Sequence, residues 1–243
     1  MPLPLFIRSL KICYALSLIH STNFALGCTP TLMAAASPPW AAWTSLVRPR
    51  RAPLRSTRHY SCRACRSRPP LRLHVTGPTS ASIAYLAGGW TAHWQGAESD
   101  AELAAQGESI VDALRRLAPA GVIVTNTTGC TIVSPDGRPQ TSTCEASDDE
   151  RAAAVAAAAA ADVTVLCLGE EAYTEKPGDI VDLSLHSGQR ELAAALAAAG
   201  ATLVVVLVEG RPRTLHGLPD LADAVVHAMV PGPQGGPAIA SLL

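Results

Sequence analysis

The sequence predicts an α/β fold: an open, mostly parallel sheet flanked by helices in a three-layer α/β sandwich, preceded by a disordered basic N-terminal segment. Three observations carry this. From about residue 71, short β-branched runs alternate with Ala-rich amphipathic stretches, the rhythm of strand–helix repeats. One run, Leu203 to Val208 (LVVVLV), is apolar at every position, as a strand covered on both faces would be. Charge is also sharply divided. Met1 to Gly96 holds 11 Lys and Arg and no acid, whereas Ala97 to Leu243 holds 8 basic residues and all 20 acids, so the net −1 conceals a +11 and a −12 part. Such asymmetry marks a tail joined to a folded domain.

The domain division expected is therefore 1–70, a disordered or non-native segment rich in Arg, Pro and Ser, and 71–243, the α/β domain. Like charges repel and prolines remove backbone donors, so the stretch from Pro38 to Pro70 is not expected to pack a core. The elements then follow in order. Leu71 to Thr76 alternates and stops at Gly77-Pro78, so it reads as a strand. Ala101 to Leu117 carries Leu103, Ile110, Val111, Leu114 and Leu117 at helical spacing. Val122 to Thr125 is a short strand. Ser147 caps an Ala-rich helix through Ala161, with Asp148, Asp149 and Glu150 at the positive end of its dipole. Val163 to Leu168 is a buried strand, Ser187 to Ala199 a helix ended by Gly200, Leu203 to Val208 a strand, and Ala224 to Met229 the last strand. Gly232, Gly235 and Gly236 precede a short helical start. Aromatics make up 4 % against 48 % hydrophobic residues overall, so the core is expected to be Ala, Val, Leu and Ile.

Several function classes find no support. No G-x-G-x-x-G follows a strand, and neither a P-loop nor G-x-S-x-G is present. No cofactor is therefore expected. The basic tail lacks the interleaved aromatics of a nucleic-acid surface, so no nucleic acid is expected. No run of about 18 apolar residues exists, so no membrane span is expected. His74, His93, His186, His216 and His227 have no ligand spacing, and Cys62-x-x-Cys65 lacks a second pair, so no metal is expected. Cys130 and Cys144 flank turn-forming residues (Pro135, Asp136, Gly137, Pro139) and are read either as a loop-closing disulfide or as two free thiols. Localisation stays open. Ile12 to Gly27 resembles an export-signal core of a secreted or periplasmic protein, and the Arg- and Ser-rich start resembles a transit peptide.

Four segments stand in register. They are V-T-G-P-T (Val75 to Thr79) with G-G-W-T-x-x-W-Q-G (Gly88 to Gly96); L-G-E-x-x-Y-T-E-x-x-G-D (Leu168 to Asp179) with D-L-S-L (Asp182 to Leu185); V-V-V-L-V-x-G-R-P (Val204 to Pro212); and V-P-G-x-Q-G-G-x-A-I-A (Val230 to Ala240). In this order and spacing they resemble the C-terminal α/β domain of family 3 glycoside hydrolases, the β-glucosidases and exo-glucanases. Two positions depart from the pattern: Met229 stands where the family often has Trp, and Gln234 where it has Glu. The resemblance also implies an N-terminal (β/α)₈ barrel that supplies the nucleophile. Residues 1–70 are too few for one, so the chain is expected to be truncated at both ends and inactive alone.

What the resemblance implies for chemistry is specific. Glu175 falls on the general acid/base position, Trp94 on the leaving-group subsite, and Trp90 beside it in a packing or supporting role; the substrate would be a β-glucoside or β-glucan. Retaining glycosidases need two carboxyls about 5 Å apart across the scissile bond, and the acid must be desolvated to hold its proton near neutral pH. The plainer reading counts Glu175 among solvated acids with Glu170, Glu171, Asp179 and Asp182. Tyr173 is expected to fix the loop, Asp179 and Asp182 to cap backbone amides, and Arg211 to pair with an acid. The alternative function is a non-catalytic carbohydrate- or protein-binding module.

Overall fold

The computed structural model describes residues 69–243 and a three-residue strand at Ile12–Tyr14. The tail expected to be disordered, the signal-like stretch and Cys62-x-x-Cys65 otherwise lie outside the described residues.

Six parallel strands form one sheet: β1 (Ile12–Tyr14), β2 (Leu71–Thr76), β3 (Val122–Asn126), β6 (Val163–Gly169), β7 (Leu203–Val208) and β8 (Ala224–Met229), in the order β1-β8-β7-β6-β2-β3. Two shorter strands, β4 (Thr131–Val133) and β5 (Thr143–Glu145), make a separate antiparallel hairpin. Six helices complete the set: α1 (Ile83–Ala87), α2 (Ile110–Leu117), α3 (Asp148–Ala159), α4 (Ser187–Ala198), α5 (Leu218–Leu221) and α6 (Gly235–Leu242).

The strand period of two sorts side chains onto two cores. Leu166 and Leu168 of β6 join Leu203, Val205 and Leu207 of β7 against α3 and α4, through Ala154, Ala158, Leu192 and Leu196. Val165 and Cys167 point the other way and join Val206, Val208, Ile110, Leu114 and Ile239. The all-apolar run of β7 is thus explained by helices on both faces, as the three-layer reading requires. Cys167 is free and buried, and burial pushes its thiol pKa up. Cys130 and Cys144 are joined as a disulfide, which resolves the two readings of that pair.

Two element boundaries differ from expectation. Helical spacing over Ala101 to Leu117 gives a regular helix only from Ile110, because Ser109 takes the N-cap position, its hydroxyl accepting from the Asp112 amide at 3.2 Å. Before it, Gly107 disfavours helix and sits so close to the Pro233 backbone that a Cβ there would stand 1.8 Å from its carbonyl oxygen; despite helix-forming neighbours, the chain runs through a 3₁₀ turn at Asp100–Glu102 and further turns. The Ala-rich helix starts where predicted, with a reciprocal cap between Ser147 and Glu150, and ends at Ala159.

Strand order reverses at β2. The chain leaves β2 outward to β3, then returns across to β6 on β2's other side. The loops after β2 and β6 therefore part at a topological switch point, where open α/β sheets present ligand sites.

His74 of β2 is fully buried, its two ring nitrogens 3.1 Å from the hydroxyls of Thr125 and Thr127. Burial lowers its pKa, so the folded state binds fewer protons than the unfolded chain. This contribution to stability is full above the unfolded value of about 6.5 and is lost as pH falls through the lowered folded value. Urea unfolding between about pH 5 and 8 is expected to show the wild type losing stability on acidification more steeply than His74→Gln. Parallel curves would reject this role for His74.

Candidate active site

At the C-terminal end of β6 a single acid organises the loops. Glu170 is 2 % exposed, a correction to its reading as a solvated acid. Its Oε1 accepts from Arg213 Nε at 2.8 Å and lies 3.1 Å from Arg211 Nε. Its Oε2 accepts from the Tyr173 hydroxyl at 3.1 Å and the Gly210 amide at 3.2 Å. Arg213 is itself buried, its side chain 3 % exposed. A buried carboxylate would be expelled without such partners. The reading of Arg211 as an acid's partner holds, and Glu170 is that acid.

The two arginines reach further. Arg211 Nη2 donates to the Gly178 carbonyl at 2.7 Å, and Arg213 Nη1 to the Ser184 carbonyl at 3.0 Å. The Arg211 guanidinium also lies over the Tyr173 ring, 3.8 Å from its centroid, and donates to its hydroxyl at 2.8 Å, so Tyr173 does fix the loop. Burial, then the neighbouring Glu170 charge, raise the Tyr173 pKa. Asp182 accepts from the Ser184 amide at 2.8 Å, the capping expected of it. Beside this network Glu209 is buried, its Oε1 3.0 Å from His227 Nε2, and burial raises its pKa. His227, read from sequence as structural or surface, belongs to this pairing.

Glu175 sits at the exposed apex of the loop held by these contacts, and its carboxylate has no ion-pair partner among the described residues. Its backbone has φ 47° and ψ −147°, a region that side chains other than glycine rarely occupy. Trp90 shares this property, with φ 56°. Backbone strain of this kind persists only where surrounding contacts impose it.

The tryptophan turn after α1 docks directly on the Glu175 loop. Thr174, next to Glu175 in the chain, donates its hydroxyl to the Trp94 carbonyl at 3.0 Å, and its amide donates to Gln95 Oε1 at 3.1 Å. Gln95 Nε2 returns a bond to the Thr174 hydroxyl at 2.7 Å. Approach is so close that a Cβ on Gly89 would stand 2.1 Å from the Thr174 methyl and 2.4 Å from the Tyr173 carbonyl oxygen, so only glycine fits there. The Trp90 and Trp94 rings meet edge-to-face, centroids 6.3 Å apart, and are 67 % and 47 % exposed. Between the two loops opens a cavity of about 170 Å³ bordered by Gly88, Gly89, Glu170, Tyr173 and Glu209. The structure thus brings the Glu175 and Trp94 segments to one edge of the sheet. Of the two departures from the family pattern, Met229 ends β8 exposed at φ 58°, and Gln234 donates to the Gln106 carbonyl.

The glycosyl hydrolase family 3 C-terminal domain matches residues 67–243, so the chain belongs to this family of hydrolases. It is 40 % identical over 174 residues to the lysosomal beta glucosidase of Dictyostelium discoideum, a match covering 70 % of this chain and 20 % of that protein. Among solved structures it is similar to a β-glucosidase from Erythrobacter marinus (32 % identity, TM-score 0.54, covering 71 % of this chain and 24 % of that one). It is also similar to the Listeria innocua β-glucosidase in complex with gluconolactone (26 %, TM-score 0.55, 75 % and 22 %). The chain thus spans about a fifth to a quarter of the length of these relatives.

A contrast between two glutamates tests this geometry. Glu170→Gln leaves buried Arg213 without its counter-charge and is expected to cost about 3 kcal/mol. Glu175→Gln, exposed and unpaired, is expected to stay within about 0.5 kcal/mol of wild type. Equal losses in chemical denaturation would contradict the assignment of Glu170 as the anchor.

Proposed function

We propose that this chain supplies the acid/base side of a retaining β-glucosidase or exo-β-glucanase site. Glu175 protonates the leaving oxygen and then activates water; Trp94 stacks its indole on the sugar of the leaving-group side, with Trp90 beside it. The nucleophilic carboxylate comes from the (β/α)₈ barrel that the family resemblance implies, so the isolated chain turns over no substrate. The observation that carries this reading is the Thr174 bridge, which ties the Glu175 loop to the Trp94 turn.

The chemistry follows from two requirements. Double displacement needs two carboxyls about 5 Å apart on opposite sides of the scissile bond. Glu175 is one, projecting from a rigidly held loop with no competing partner. A general acid must also be withdrawn from water to keep its proton near neutral pH, and exposed Glu175 lacks that cover until a second surface closes over it. Indole faces suit the C–H faces of a pyranose, and both rings stand open to receive one.

Two measurements test the proposal. Purified chain is expected to leave aryl β-glucosides intact; hydrolysis abolished by Glu175→Gln would show that the chain needs no barrel. Joined to a family 3 barrel, Glu175→Gln is expected to slow cleavage of glucosides with poor leaving groups by about 10²- to 10⁴-fold, and of those with acidic phenols far less, because they leave without a proton. Equal slowing of both would remove Glu175 from the acid role. Cello- or laminari-oligosaccharide binding that depends on Trp94, with turnover indifferent to Glu175, would instead favour a non-catalytic sugar-binding module.

A further inference from the structure

The β4–β5 hairpin has no part in the site described above, yet its tip lies against the outer flank of the Glu175 loop. Two three-residue strands are too short to be stable alone. Their base is held from two sides. The Cys130–Cys144 disulfide ties the chain entering β4 to β5, both cysteines buried in the core with Leu185 and Leu192. The first turn of α4 presses on it, with an ideal Cβ on Gly188 falling 1.9 Å from the Cys144 carbonyl oxygen. From this fixed base the tip reaches across. Gln140 Oε1 accepts from the Val181 amide at 2.7 Å, and the Ser142 hydroxyl donates to the Glu171 carboxylate. The turn at Pro139–Thr141 packs on the turn at Lys176–Gly178, the one directly after Glu175.

The loop from Glu170 to Leu183 contains no regular element beyond that 3₁₀ turn. Ordering so many irregular residues costs conformational entropy at every one. The arginines and Gln95 tie its inner side; its outer side has the hairpin.

We propose that the disulfide-closed hairpin is a brace for the Glu175 loop, with Gln140 and Ser142 as positioning residues that hold its outer flank. The catalytic meaning of the brace rests on the acid/base reading of Glu175; its mechanical part does not. Amide exchange measured by NMR on the full chain tests the mechanical part without sugar or turnover. In Gln140→Ala the Val181 amide is expected to exchange about tenfold faster, with the amides of β6 and β7 unchanged. Gln140→Glu keeps the acceptor oxygen and is expected to restore protection at Val181. Ser142→Ala is expected to speed exchange around Glu171 in the same local manner. An unchanged Val181 rate in Gln140→Ala, no rescue by Gln140→Glu, or equal acceleration along β6 would each overturn the brace. Those outcomes leave the role of Glu175 untouched. Conversely, a failed leaving-group test leaves the exchange pattern standing.

Discussion

The carboxylate of Glu170 is the contact on which the site's architecture turns. It is a charge placed in a nearly dry position, which is tolerable only with matched donors around it. Arg211 and Arg213 supply them from the segment after β7. Once neutralised, the arginines have donors left over, and these satisfy carbonyls at Gly178, Asp182 and Ser184. Irregular backbone near a protein interior needs such partners. One acid therefore gives two cations a place inside the fold, and the cations give a long loop its shape.

This arrangement explains why strain gathers at one edge of the sheet. Trp90, Glu175, His216 and Met229 all adopt positive φ without being glycine, and they lie in or at the starts of the segments that follow α1, β6, β7 and β8. A loop free to relax would not keep such angles. Here the Thr174–Gln95 exchange of bonds, the arginine contacts and the close seat of Gly89 hold the turns that carry Trp90 and Glu175. The sheet beneath is rigid because β6 and β7 are packed on both faces, so displacement in the loops is not absorbed below them.

The sequence disclosed the fold more readily than the site. Strands β6 and β7 are legible because burial on both faces leaves almost only apolar residues in the chain, whereas β2 is legible from its alternation and its stop at Gly77-Pro78. The helix over Ala101 to Leu117 was overextended because Leu103 fits the helical period, yet it reaches the small cluster with Ile83 and Ala87 from a turn instead. The hairpin was missed because strands of three residues carry no periodicity. Glu170 looked like its acidic neighbours, since burial of a charge depends on arginines some 40 residues away in the chain and leaves no local mark. What marked Glu175 and Trp94 was motif resemblance, and spacing alone would have passed over both.

The alternation of side chains along β6 also has a practical reach. Cys167 faces the inner core, and a thiol whose pKa is driven upward by burial is shielded from alkylating reagents while the sheet is closed. Its modification, followed peptide by peptide, therefore acts as a clock for opening of the central strands. The rate it records reports on the body of the domain, independent of whatever happens in the loops above.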